Sequence, residues 1–163
     1  MNYRQSLFFI IVGTNGTGKT TLLNKLINEK GGKALIVDPD GLEWQQVEEI
    51  RSEQAGELKS GQAKILFPQP EDIENLMEYQ NGSLVLDDCR FYLRSRLDES
   101  IRRILIRRRH NSIDVFAVMG ITNDKDHLIK VRDEVKYDYL LNTVGKSKEE
   151  IFKEVDFILG KLT

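Results

Sequence analysis

Residues Gly13 to Thr20 read G-T-N-G-T-G-K-T, a full match to the pattern G-x-x-x-x-G-K-[ST]. No other stretch limits the fold as strongly, because each fixed position has a physical task. The glycines let the backbone curl until successive N–H groups point inward at an anion. Lys19 adds a point charge for β- and γ-phosphates, and the Thr20 hydroxyl is suited to a bound Mg²⁺. The flanks agree. Leu7 to Val12 is a continuous apolar run, as expected of a strand buried on both faces of a parallel sheet. Thr20 to Asn28 follows with a helical pattern that puts Leu22, Leu23, Leu26 and Ile27 on one face. Strand, loop and helix N-terminus together form an anion site to which the helix dipole adds. Gly13, Thr14, Asn15, Gly16, Thr17, Gly18, Lys19, Thr20 and Thr21 are the expected phosphate-binding residues.

A chain of 163 residues is expected to form one domain, spanning 1–163, with a core that needs no covalent staples. Charged residues make up 31% and hydrophobic ones 40%, as in a soluble globular protein. The net charge of −2 argues against a surface coated everywhere with nucleic acid. Cys89 is the single cysteine, so no intrachain disulfide forms and a reducing compartment fits. No apolar run reaches the roughly 18 residues of a membrane span. Met1 to Gln5 leads straight into the first strand, leaving no space for a signal peptide. The expected location is cytoplasmic, which for a viral protein means host cytoplasm or virion.

Apolar runs and helical patterns alternate along the whole chain. After the first strand and helix, Gly31-Gly32 ends the helix and Ala34 to Asp38 reads as a strand. Leu42 to Ile50 reads as a short helix, and Gln54 to Gln62 as a polar surface loop. Lys64 to Phe67 is a short strand, and Pro70 to Tyr79 a helix with its proline in the first turn. Asn81-Gly82 turns into a strand over Ser83 to Asp87. Phe91 to about Arg109 reads as a long helix, Ile113 to Met119 as a strand, Tyr137 to Asn142 as another, and Lys148 to Leu159 as a closing helix. Such alternation implies a mostly parallel sheet with helices on both faces.

Leu84-Val85-Leu86-Asp87-Asp88 is an apolar strand ending in two acids. Carboxyl ends of parallel strands line the ligand crevice. Asp87 is thereby a candidate Mg²⁺ ligand beside Thr20, and Asp88 a candidate base orienting the attacking water. The competing reading of Asp87 is a plain helix cap, which aspartate also favours.

Eight of the eleven arginines lie between Arg90 and Arg109. At about 100° per residue, Leu93, Leu97, Ile101, Ile104 and Leu105 share an apolar face. Arg96, Arg103 and Arg107 form a stripe on one flank, with Arg102 and Arg109 on the other. Asp98–Arg102 and Glu99–Arg103 are i,i+4 pairs in the favourable order. Arg96, Arg107, Arg108 and Arg109 have no intrahelical acid, and Arg108 projects toward the sheet. Besides a salt-bridged solvated face, two roles are open. Arg108 is a candidate catalytic finger acting on a neighbouring subunit, and Arg96, Arg103, Arg107 and Arg109 are candidate contacts to a DNA backbone.

With these stretches in view, the sequence resembles the FtsK–HerA superfamily of DNA-pumping ATPases, including viral packaging ATPases and zonula-occludens-toxin-like phage proteins. The resemblance rests on Gly13 to Thr20, on Ala34 to Asp40, on Leu84 to Asp88, and on Arg107 to Val115. It implies the three-layer α/β sandwich of P-loop NTPases, ATP and Mg²⁺ as cofactors, Lys19, Asp88 and Arg108 as catalytic residues, and a homo-oligomer, by analogy a hexamer. The family's Thr-Gln sensor at the end of the fifth strand is missing. The segment here runs Ala117-Val118-Met119-Gly120-Ile121-Thr122-Asn123, which leaves Thr122 or Asn123 as substitutes.

The function implied is ATP hydrolysis coupled to moving or packaging DNA. ATP is favoured over GTP because no Asn-Lys-x-Asp motif occurs; Thr122 to Asp126 comes nearest, in the wrong order. The alternatives are an ATP-binding adaptor whose assembly follows bound nucleotide, which the missing glutamine favours, and a small nucleotide kinase. Trp44 and Tyr92 read as packing aromatics, and His110 as a helix-end residue.

Overall fold

The computed structural model describes residues 6–13, 19–39, 41–87, 97–120, 137–143 and 145–162. Along them follow β1 (Phe8–Gly13), α1 (Lys19–Lys30), β2 (Ala34–Asp38), β3 (Glu48–Glu49), β4 (Gln62–Leu66) and α2 (Pro70–Asn75). Then come β5 (Gly82–Leu86), α3 (Leu97–Asn111), β6 (Ile113–Gly120), β7 (Tyr139–Asn142) and α4 (Lys148–Leu162). The strands form one seven-stranded sheet in the order β3-β4-β2-β5-β6-β1-β7. Every strand pair in it is parallel.

The two-residue period of a strand explains why these segments read as unbroken apolar runs. In β1, Phe8, Ile10 and Val12 enter one core while Phe9 and Ile11 enter the other. Leu35 and Val37 of β2 likewise face opposite Ala34 and Ile36. Ile73 of α2 and Ile101, Ile104 and Leu105 of α3 close the first core. Leu22, Leu23, Leu26 and Ile27 of α1 and Ile151, Val155 and Ile158 of α4 close the second. The chain moves one way across the sheet through α1 and the other way through α2 and α3. Opposite directions on opposite faces are what a single crossover hand requires. The result is the expected three-layer α/β sandwich.

Two segments differ from the sequence reading. Leu42 to Ile50 is not a helix. It holds a turn and the edge strand β3, whose Glu48 and Glu49 pair with Ala63 and Lys64 of β4. The cause is tertiary: Trp44 is buried, and its carbonyl accepts from the buried Lys64 Nζ at 2.6 Å. The Ile50 N–H then joins the Lys64 carbonyl at 2.9 Å, which draws the segment along the sheet edge. Gln54 to Gln62, read as a loop, contains part of a 3₁₀ turn over Ser52–Glu57 with Ala55 fully buried, and β4 already starts at Gln62.

At the amino ends of the strands, Lys30 Nζ lies 3.1 Å from Asp114 Oδ2, with Asp114 buried and Lys30 half-buried. Asp114 Oδ1 accepts the Leu7 N–H at 3.0 Å. This pair ties the end of α1 to the starts of β1 and β6.

Candidate nucleotide site

The site is assembled at the carboxyl ends of the strands. β1 stops at Gly13 and α1 begins at Lys19, and the ammonium of Lys19 reaches back to donate to the Gly13 carbonyl at 2.7 Å. One side chain thus joins the two ends of the loop. The first turn of α1 carries no acid, so its N-terminal N–H groups and dipole meet no competing carboxylate of their own. Thr20 is half-buried in that turn, and its carbonyl accepts from the Asn24 side chain at 3.1 Å; Thr21 is exposed.

Asp87 follows β5 directly, and its N–H donates to the Val37 carbonyl at 3.1 Å, continuing the ladder one residue beyond the strand. β6 is the single strand between β1 and β5. Two interstrand spacings make about 10 Å, a gap that a metal-bound phosphate chain spans. A hydroxyl at Thr20 and a carboxylate at Asp87 are hard oxygen donors of the kind Mg²⁺ takes, one or two per site with phosphate and water completing the shell. The donor set therefore fits a Mg²⁺–nucleotide complex. No group of three or more His, Cys, Asp or Glu among the described residues offers an alternative metal cage.

Two further residues shape the site and were not singled out from the sequence as site residues. The Trp44 indole N–H donates to Asp87 Oδ2 at 3.0 Å. Its sequence signal was weak: a lone tryptophan in an acidic turn, whose N–H needs a partner once buried. On the other side of β1, buried Thr143 donates both its N–H, at 2.9 Å, and its hydroxyl, at 3.1 Å, to the Val12 carbonyl. Thr143 follows β7 as Asp87 follows β5, so a polar residue just beyond an apolar strand was the available signal.

Asp38, at the end of β2, is fully buried, and its Oδ1 accepts the Gly41 N–H at 3.0 Å. Gly41 sits at φ +74, and an added Cβ would come within 3.3 Å of the Phe67 ring. This turn sets the path of the loop that delivers Trp44.

Arg108 projects toward the sheet, as the sequence reading has it, and does so at the amino ends of the strands. Its Nε donates to the Ser6 carbonyl at 3.3 Å and its Nη1 to the Leu105 carbonyl at 2.7 Å. Nη2 lies 3.7 Å from Asp138 Oδ2, whose carboxylate also accepts the Phe8 N–H at 2.7 Å. Burial lowers the guanidinium pKa, and Asp138 opposes that shift. A finger must reach a neighbour's phosphate, whereas this guanidinium is engaged inside its own chain. Arg102, Arg103, Arg107 and Arg109 are exposed, and Arg103 pairs with Glu99 at 3.4 Å as the i,i+4 spacing predicts. Exposed His110 falls at the end of α3 as expected.

Thr14, Asn15, Gly16, Thr17, Gly18, Asp88, Cys89, Tyr92, Arg96, Thr122 and Asn123 lie outside the described residues. No described helix is long and apolar enough to cross a membrane.

No protein-family model matches the chain, and no curated protein matches it in sequence. Solved structures do match in fold. The genome packaging NTPase B204 from Sulfolobus turreted icosahedral virus 2, in complex with AMPPCP, superposes with a TM-score of 0.62 at 15% identity, covering 100% of this chain and 88% of that one. Its complex with ATP-gammaS gives a TM-score of 0.62 at 13% identity, with the same coverage. The AMP complex gives 0.57 at 15% identity, over 82% of this chain and 83% of the other. The α/β sandwich described above is thus a fold that B204 shares.

Proposed function

We propose that this protein binds ATP with Mg²⁺, hydrolyses it, and works as a ring-forming ATPase that translocates DNA or packages a genome. The observation that carries the reading is that Lys19, Thr20 and Asp87 all stand at the carboxyl ends of a parallel sheet, with one strand between the two halves. The fold shared with B204, whose structures hold AMP, AMPPCP and ATP-gammaS, supports it.

In this reading the backbone of residues 13 to 21 cradles the phosphates, and Lys19 exchanges the Gly13 carbonyl for a phosphate oxygen. Thr20 and Asp87 hold Mg²⁺, which when bound offsets phosphate charge. Asp88 orients the attacking water. Arg96, Arg103, Arg107 and Arg109 contact the DNA backbone; of these, Arg103 and Arg107 line an exposed groove between α2 and α3 with Met77 and Ile106.

The test is ATP turnover with and without single- and double-stranded DNA. Stimulation by DNA that Lys19→Ala abolishes supports the motor. Tight ATP binding without turnover, together with a nucleotide-dependent change in molecular mass, supports the adaptor, a reading favoured by the absence of glutamine after β6. Transfer from ATP to a nucleoside monophosphate would identify a kinase instead.

A further inference from the structure

We infer that Trp44 is the positioning residue for the Asp87 carboxylate, fixing its rotation so that it is ready for the cation. The inference rests on the reading of Asp87 as a metal-site residue. A carboxylate at a strand end turns about a broad terminal torsion, so an unsupported aspartate presents its oxygens in many directions. Here Asp87 Oδ2 accepts the Trp44 indole N–H at 3.0 Å.

The donor's chemistry suits the task. An indole N–H donates and has no acceptor lone pair, so Trp44 cannot coordinate the metal itself. It is also neutral and leaves the full carboxylate charge for a cation, whereas lysine or arginine in its place would compete with that cation.

The donor is itself held rigidly. Trp44 is 2% exposed and packs in the core that contains Ile36 and Val85. Its carbonyl accepts from Lys64 Nζ at 2.6 Å and from the Val47 N–H at 3.2 Å. The Asp38–Gly41 turn leads into it. Contacts therefore run from β4 through Trp44 to the end of β5. Such support commonly changes metal affinity by about 10–100-fold when lost.

The chain has one tryptophan, so an isotope-labelled sample gives a single indole N–H resonance without any substitution. With a non-hydrolysable ATP analogue bound, adding Mg²⁺ should shift that resonance, and chelation should restore it. In parallel, calorimetry measures analogue affinity across a Mg²⁺ titration. Trp44→Phe should raise the Mg²⁺ concentration needed by about 10-fold or more, with affinity in chelator unchanged. A resonance indifferent to Mg²⁺, or a folded Trp44→Phe protein with wild-type Mg²⁺ dependence, overturns the inference. Asp87→Ala separates the two levels. If it abolishes the Mg²⁺ dependence while Trp44→Phe does not, positioning alone fails. If Asp87→Ala also keeps wild-type dependence, the metal-site reading of Asp87 has failed.

Discussion

Lys19 Nζ lies 2.7 Å from the Gly13 carbonyl, a bond that spans the phosphate loop from the end of β1 to the start of α1. The ammonium is thereby held at the end of β1 and already partnered by a neutral acceptor. A phosphate oxygen would be a stronger one, because it carries a negative charge that attracts the ammonium where the carbonyl offers only a dipole.

Lys19→Ala should therefore weaken nucleotide binding much more than folding. A charged hydrogen bond is worth about 1.5–3 kcal/mol, or roughly 10–100-fold in affinity. Calorimetric titration with ATP and thermal unfolding of the nucleotide-free protein should show the affinity falling while the midpoint stays near wild type.

Arg108→Ala should behave in the opposite way. Its bonds to the Ser6 and Leu105 carbonyls and its proximity to Asp138 are structural. We expect a loss of about 1–3 kcal/mol in stability, with turnover per folded molecule retained. A variant that unfolds like wild type but has lost turnover would restore the arginine to a catalytic role.

Asp114→Ala should be strongly destabilising. It removes the carboxylate facing the Lys30 ammonium, which keeps the Ser83 hydroxyl as an acceptor, and it removes the acceptor of the Leu7 N–H. Losing a hydrogen bond to a charged group costs about 1.5–3 kcal/mol, readable as a lower denaturation midpoint at unchanged slope.

Gly82→Ala should also destabilise, because the added Cβ would sit 2.3 Å from the Tyr79 hydroxyl and 2.9 Å from the Lys33 carbonyl. Overpacking of this kind costs about 1–3 kcal/mol. Tyr79→Phe in the same chain should recover part of the loss, since it deletes the atom met first.

Tyr79 gives a pH dependence of known sign. Burial pushes its phenol pKa above the ordinary value of 10.0, so the folded protein keeps a proton that the unfolded chain releases. Stability from this group is complete below pH 10.0 and declines as pH rises toward the folded-state pKa, by up to about 1.4 kcal/mol per pH unit. Denaturation of wild type and Tyr79→Phe at alkaline pH should show this slope in wild type alone.

Much of the molecule was legible because local chemistry specified it. The apolar run before Gly13, the helical spacing of Leu22, Leu23, Leu26 and Ile27, and the acid closing β5 identified the strand, the helix and the two halves of the candidate site. Burial of β1 on both faces was legible for the same reason, since a strand covered on one side would alternate. Segment 42–50 was misread because the hydrogen bonds deciding it come from Lys64, a residue on another strand.

What the sequence determined alone is therefore local: which residue pattern suits an anion, which faces are apolar, and which residues stand at strand ends. The tertiary structure decided what those ends meet. Sheet order put β6 alone between the loop and Asp87, brought Trp44 onto the Asp87 carboxylate, and turned Arg108 inward onto Asp138. Periodicity along a chain encodes the direction of a side chain relative to its own element. Its partner across the sheet depends on strand order, which the long-range packing of both cores selects.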